Sequence, residues 1–174
     1  YAENVEVSRG LNGIVKINVK EREISYLINY AGAYIYIDNQ GFILELNPEV
    51  KNVPILLGAS TDFTSLAVGD SANKVTRLND KDLEKLSVVN DIMDKCKSNE
   101  VFELVSKVDI TNPKDYVLSL DSEAKTVYLG DCSDLNTRIL YMKKIVQEEA
   151  GKPGQIFINM NLNKEYVYFR ENAW

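Results

Sequence analysis

The apolar residues of this chain change their period along its length, and the order of the changes constrains the fold more than any single motif. Alternation with a period of about two marks a strand, and recurrence at about 3.6 residues marks a helix face. "VEV" at 5–7 and "IVKINV" at 14–19 flank "GLNG" at 10–13 and read as a hairpin. A charged knot, Lys20-Glu21-Arg22-Glu23, then sets a boundary. After residues 24–28 comes "YIYIDNQGFILEL", two strand-like runs around Asp38-Asn39-Gln40-Gly41. Residues 47–78 are less regular, broken by Pro48 and Pro54, with "PILLG" as a short buried strand.

From Asn79 the period becomes helical. Asn79 serves as N-cap, Asp82 stands three residues on, and Leu83, Leu86, Val89, Met93 and Cys96 form one stripe that ends near Lys97. Three strands follow at 102–110, 116–120 and 126–129, joined by the turns "TNPKD" and "DSEAK", with antiparallel pairing the simplest reading. A second helix over 134–150 carries Leu135, Ile139, Met142, Val146 and Ala150 on one face and stops at Gly151-Lys152-Pro153. A hairpin of 156–162 and 165–170 around Asn163-Lys164 closes the chain. The order predicts an α+β fold: a mostly antiparallel sheet with two main helices packed on one face.

Composition narrows the chemistry. Across 174 residues there are 26 acidic and 20 basic side chains, a formal charge of -6, so phosphate backbones and anionic membranes repel the chain and nucleic acid is not its partner. Histidine is absent, which removes the usual general base near neutral pH, the usual catalytic zinc ligand and every Ser-His or Cys-His nucleophile. Ten tyrosines against five phenylalanines suit half-buried sheet positions and protein interfaces. There is no 18-residue apolar run, and Tyr1 opens the chain without an initiator Met or signal-like segment, so it reads as soluble as given and as cut from something longer.

The candidate sites reduce mostly to structure. The tetrad 38–41 lacks the ligand spacing of a calcium loop and fits a turn, in which Asp and Asn bond their own backbone and Gly accepts a positive φ. No phosphate-binding glycine pattern is present. Asp131 with Asp134 are a formal acid/base pair, but acids at a helix start are explained more simply by the helix dipole. Cys96 and Cys132 are placed at opposite ends of the sheet and are expected to be free, mostly packed thiols. No catalytic, cofactor or metal residues are assigned. The aromatic run Tyr166-Val167-Tyr168-Phe169 is different: it lies at the chain end and predicts an edge strand able to accept a strand of another chain.

Four stretches carry a family resemblance. "YAENVEVSRGLNGIVKINVKER" resembles the second half of a POTRA domain ending in a Val-x-Glu-Arg signature, and "AYIYIDNQGFIL" the opening hairpin of a β domain with an Ile-Asp-x-x-Gly turn. "VPILLG" resembles a Leu-Pro-hydrophobic-hydrophobic-x-Gly segment, and "VYLGDCSDLNTRILYM" into "IFINMNL" the closing strand, helix and strand. In that order they resemble the extracytoplasmic region of the bacterial division family FtsQ, called DivIB in Gram-positive bacteria. Glu23, where the family usually has Pro, and Asn159 and Asn161, where it often has Asp and Arg, depart from the pattern.

The resemblance implies residues 1–22 as the end of a POTRA domain, here a partial hairpin, and 23–174 as the β domain. It implies a non-enzymatic divisome scaffold that needs no cofactor. The full-length protein would be held in the cell membrane by one N-terminal helix, with this region on the extracytoplasmic face. Its partners would be the DivIC (FtsB-like) and FtsL ectodomains. By position they would meet Arg138, Leu162, Tyr166, Val167, Tyr168 and Phe169. The alternatives are a wall-acting enzyme built on Asp131 and Asp134, which needs two carboxyls flanking a groove, and a peptide- or solute-binding module, which needs an enclosed pocket.

Overall fold

The computed structural model describes residues 2–67, 77–158 and 167–172. Strands β1 (Ala2–Arg9) and β2 (Val15–Glu21) pair antiparallel as the expected hairpin and make a two-stranded sheet of their own. The register sets Val5 opposite Val19 and Val7 opposite Ile17, and Val15 falls on the same side, so these aliphatics share one ribbon face. All five are more than half exposed. The other face is polar, with Glu6 opposite Asn18 and Ser8 opposite Lys16.

The remaining strands form one sheet. They are β3 (Tyr26–Tyr30), β4 (Ala33–Ile37), β5 (Ile43–Asn47), β6 (Ile55–Leu57), β7 (Lys107–Asp109), β8 (Tyr116–Leu120), β9 (Lys125–Gly130), β10 (Gly154–Phe157) and β11 (Tyr168–Glu171). Their order is β11-β10-β9-β8-β7-β6-β3-β4-β5. Among the described residues five neighbouring pairs are antiparallel and three, β3/β6, β6/β7 and β9/β10, are parallel. The fold is the α+β arrangement expected, with a large, mostly antiparallel mixed sheet. Two of the parallel pairs have a plain cause: helix α1 (Asp80–Ser98) lies in sequence between β6 and β7, and α2 (Leu135–Glu148) between β9 and β10, whereas β3 and β6 are separated in sequence by the strands β4 and β5. A crossover helix returns the chain to the end at which the preceding strand began, so the next strand runs parallel to it.

Both helices bury apolar faces in the main core. Leu86, Val89, Ile92, Met93 and Cys96 of α1 join Ile139, Met142 and Val146 of α2 and alternate sheet residues such as Ile28, Ile35, Val108, Leu118 and Val127. A smaller cluster of Leu27, Tyr36 and Leu44 covers the opposite side of β3 to β5, as strand alternation requires.

Asn79 caps α1 as expected, its side chain accepting from the Asp82 N–H at 2.9 Å. The other end closes with a Schellman pattern: the Val101 N–H reaches the Cys96 carbonyl, and the Glu100 N–H the Lys97 carbonyl. Glu100 takes the left-handed conformation there, at φ +60°. The strand expected over 102–110 is therefore shorter, since Phe102–Leu104 is a turn of 3-10 helix and β7 begins only at Lys107. Buried Val101 and Val105 bracket that turn and carry the chain from helix to sheet.

Asp82 has no exposed surface. Its carboxylate accepts from the backbone N–H groups of Ser60 and Thr61, at 2.8 and 2.7 Å, and from both hydroxyls, at 3.0 and 2.7 Å. The irregular segment after β6 is thereby fastened to the first turn of α1. Burial by itself pushes the Asp82 carboxyl up, but the hydrogen bonds from Thr61 and Ser60 outweigh it and hold the group below its ordinary range. Both cysteines are free, and burial pushes each thiol up to about 12.

Three outcomes are expected. A folded-state pKa below the unfolded one means that Asp82 contributes stability in full above about pH 4 and loses it as the pH falls further. Asp82→Asn should cost about 2–3 kcal/mol at pH 7 and flatten the decline of urea midpoints between pH 5 and 3, on the scale of buried bonds to a charged acceptor. Glu100→Gly, by relieving an L-residue at positive φ, should raise stability by about 1 kcal/mol in the same assay. A thiol titration without reductant should count two groups in denaturant and show slow reaction of Cys96 in the native protein.

Candidate functional site

β11 pairs only with β10 among the described residues and stands at the edge of the sheet, as the aromatic run predicted. Backbone hydrogen bonds fix which way it faces. The N–H groups of Gly154 and Ile158 reach toward β9, to the carbonyls of Ala124 and Tyr128, so the backbone of Gln155 and Phe157 faces β11. The Asn172 N–H in turn meets the Pro153 carbonyl at 3.0 Å. With the register Gln155 to Arg170 and Phe157 to Tyr168, the backbone groups of Tyr168 and Arg170 point inward. Those of Val167, Phe169 and Glu171 point away from β10, to an edge with no partner strand among the described residues.

The side chains divide the other way. Val167 and Phe169 are half-buried against the main core, while Tyr168 is 43% exposed on the face away from the helices. There it completes a ladder: Tyr128 of β9 stacks on Phe157 of β10 at 4.8 Å between centroids, and Phe157 stacks on Tyr168 at 4.7 Å. The Arg170 guanidinium lies 5.1 Å over the Phe157 ring and donates to the Gln155 side chain. Stacked rings across three strands hold the edge in register. Tyr128 and Phe157 were not among the residues picked from sequence. The alternation Val127-Tyr128-Leu129 does put Tyr128 on the opposite face from its neighbours, but which strand lies beside it could not be read locally.

Arg138 reaches this region from beneath. It is 3% exposed, its Nη1 donates to the carbonyls of Leu129 (2.8 Å) and Ile158, and its Nε donates to the Ser133 carbonyl at 2.6 Å. One guanidinium therefore ties the ends of two parallel strands to the start of α2. Val167, Tyr168 and Phe169 stand together on the edge, and Leu162 and Tyr166 lie outside the described residues.

Asp131 and Asp134 shape the entry to α2. One Asp131 oxygen accepts from the Ser133 N–H and hydroxyl, at 3.0 and 2.8 Å, and lies 3.7 Å from Arg138. These bonds, led by the Ser133 backbone, hold the Asp131 carboxyl below its usual range. A working acid of a carboxylate pair needs the opposite shift. Asp134 occupies the left-handed region at φ +48° and makes no side-chain cap.

The tetrad is a turn. The Gly41 N–H meets the Asp38 carbonyl at 3.1 Å, and Asp38 Oδ1 accepts from the N–H groups of Gln40 and Phe42, at 2.9 and 2.8 Å. Gly41 has φ +78°, and a Cβ there would stand 2.5 Å from a Leu83 methyl. Among the described residues no three Cys, Asp or Glu side chains gather as a metal site.

No family model matches the chain. Similarity to curated proteins spans nearly its whole length. It is 22% identical over 173 residues to a protein of Clostridium botulinum strain Hall named "Cell division protein DivIB", covering 98% of this chain and 64% of that one. A protein of the same name from Clostridium tetani is 22% identical over 171 residues, covering 97% and 62%. The chain thus spans a little under two thirds of the length of these relatives. This similarity over nearly the whole chain supports a DivIB/FtsQ-like protein.

Proposed function

We propose that this chain is the partner-binding part of a non-enzymatic cell-division protein and that it receives a strand of another division protein along β11. The observation that carries the reading is the outward backbone of Val167, Phe169 and Glu171, without a partner strand among the described residues, beside an aromatic ladder that holds the edge in register. The name borne by its relatives supports the cellular role. The partners are the ectodomains of the DivIC (FtsB-like) and FtsL proteins, and the assembly acts on septal wall synthesis.

Residues 1–22 are the end of a POTRA domain and 23–174 a β domain. The uncovered aliphatic face of the ribbon supports this, because an apolar ribbon face is stable only when something packs on it. In the full-length protein one N-terminal helix anchors the molecule and leaves this region on the extracytoplasmic side. No helix among the described residues is long and apolar enough to cross a membrane. Arg138 holds the edge in place from below, and Leu162 and Tyr166 complete the contact.

Substitutions at the edge separate backbone from side chain. Glu171→Pro removes an outward N–H without touching the core, and Phe169→Asp removes an apolar contact; each should weaken binding to the two purified ectodomains at least about tenfold, a loss of about 1.4 kcal/mol. Tyr168→Pro removes an inward N–H instead and should also loosen β10–β11 pairing. Isothermal titration and amide exchange of β10 read the two effects, and unchanged affinity in both Glu171→Pro and Phe169→Asp would reject β11 as the binding edge. Arg138→Ala strands two buried carbonyls and should cost about 2–4 kcal/mol in stability; binding lost without such a cost would make Arg138 a direct contact instead.

A further inference from the structure

We infer that Arg22 and Asp38 form a clamp that locks the β1–β2 ribbon onto the nine-stranded sheet, so that the two sheets move as one body. Among the described residues the ribbon and the sheet share no strand pairing. Apart from Glu3, every residue of both ribbon strands is exposed. Whatever holds the ribbon must therefore act through a few side chains at its base.

Those side chains converge on the turn after β4. Arg22, the residue following β2, sends Nη1 to Asp38 Oδ2 at 2.5 Å, with side-chain exposures of 15% and 4%. Its guanidinium also lies over the Phe42 ring, 3.7 Å from the centroid. Arg77 flanks the same ring at 5.0 Å and donates to the Gln40 carbonyl at 3.2 Å. Gln40 reaches back to the ribbon, its amide donating to Glu3 at 3.0 Å, and Glu3 pairs with Lys20 of β2 at 2.7 Å. The turn thus grips the first strand through Gln40 and the end of the second through Arg22.

Asp38 divides its oxygens between two tasks. Oδ1 closes the turn by accepting from Gln40 and Phe42, and Oδ2 takes the guanidinium. A charge-assisted bond shielded from water, with the cation stacked on a ring, resists bending far more than an exposed ion pair. The consequence is geometric: the clamp sets the angle between the aliphatic face of the ribbon and the sheet that ends in β11. Both partners come from stretches that the sequence marks, "VKER" and "IDNQG", and neither is otherwise used by the proposed strand addition.

The test is backbone 15N relaxation on the 174-residue chain. In the native sequence the amides of residues 4–20 should tumble with the sheet, with order parameters near 0.85. Arg22→Ala, and independently Asp38→Asn, which keeps an oxygen for the turn, should drop them below about 0.6 while β6 to β10 keep their values and shifts. Lys20→Ala, which breaks only the Lys20–Glu3 pair inside the ribbon, should leave them high. A ribbon already loose in the native protein, or one that stays rigid in both clamp variants, overturns the inference. A fall shared by the whole sheet in Arg22→Ala and Asp38→Asn overturns it too, since the pair would then support the fold and not the joint.

Discussion

Leu86, Val89, Ile92, Met93 and Cys96 from one helix and Ile139, Met142 and Val146 from the other are buried against a single face of the sheet, and the rest of the architecture follows from that burial. Each such side chain contributes about 1.5–3 kcal/mol when removed from water. To lay both helices on the same face, the chain must cross over after β6 and after β9, and each crossover makes the next strand parallel to the last. Two of the three parallel pairs are thus a consequence of where the helices fall in the sequence, and the third, β3/β6, of the return past β4 and β5. The edge at β11 exists because the second crossover inserts β10 beside β9 and leaves the following short strand with one neighbour among the described residues.

Buried charges do the work that regular pairing does not. Asp82 holds the irregular segment after β6, Arg138 gathers the ends of β9 and β10 with the start of α2, and Arg22 with Asp38 joins the ribbon to the sheet. Each lies where two elements meet without a shared ladder of backbone bonds. A buried charge in such a place is satisfied by several donors or acceptors at once, and this gives the junction one geometry in preference to many. The candidate binding edge benefits indirectly, since Arg138 fixes the strand ends beneath it and the stacked rings of Tyr128, Phe157 and Tyr168 order its outer face.

Much of this was legible in the residues themselves. Asn79 as a cap, the stripe of α1, the strand at 116–120, the turn at Asp38 and the edge position of Tyr168 all follow from local chemistry: hydrogen bonding to near neighbours, side-chain period, and the conformations glycine allows. The strand expected at Phe102 failed for a reason of the same scale, because a helix that closes through Glu100 and Val101 needs a turn before it can enter a sheet. Arg138, which the resemblance implies as a partner contact, is instead almost wholly buried. Its burial follows from two carbonyls on the strands before and after its own helix, Leu129 and Ile158, and the parallel pairing that brings them side by side is not recorded in any local pattern.

The sequence by itself determined most of the helices, strands and turns, that the usual histidine-based chemistry is absent, and that an aromatic strand suited to an edge follows the second helix. These depend on interactions within a few residues or on composition alone. Tertiary structure decided the rest: which strands are neighbours, which face of β11 is open, that Asp82 and Arg138 are internal fasteners, and that Arg22 meets Asp38. The physical reason is that a long-range pair costs chain entropy that only the whole packed core offsets, so its identity is a property of the assembled fold and not of either partner's surroundings in the sequence.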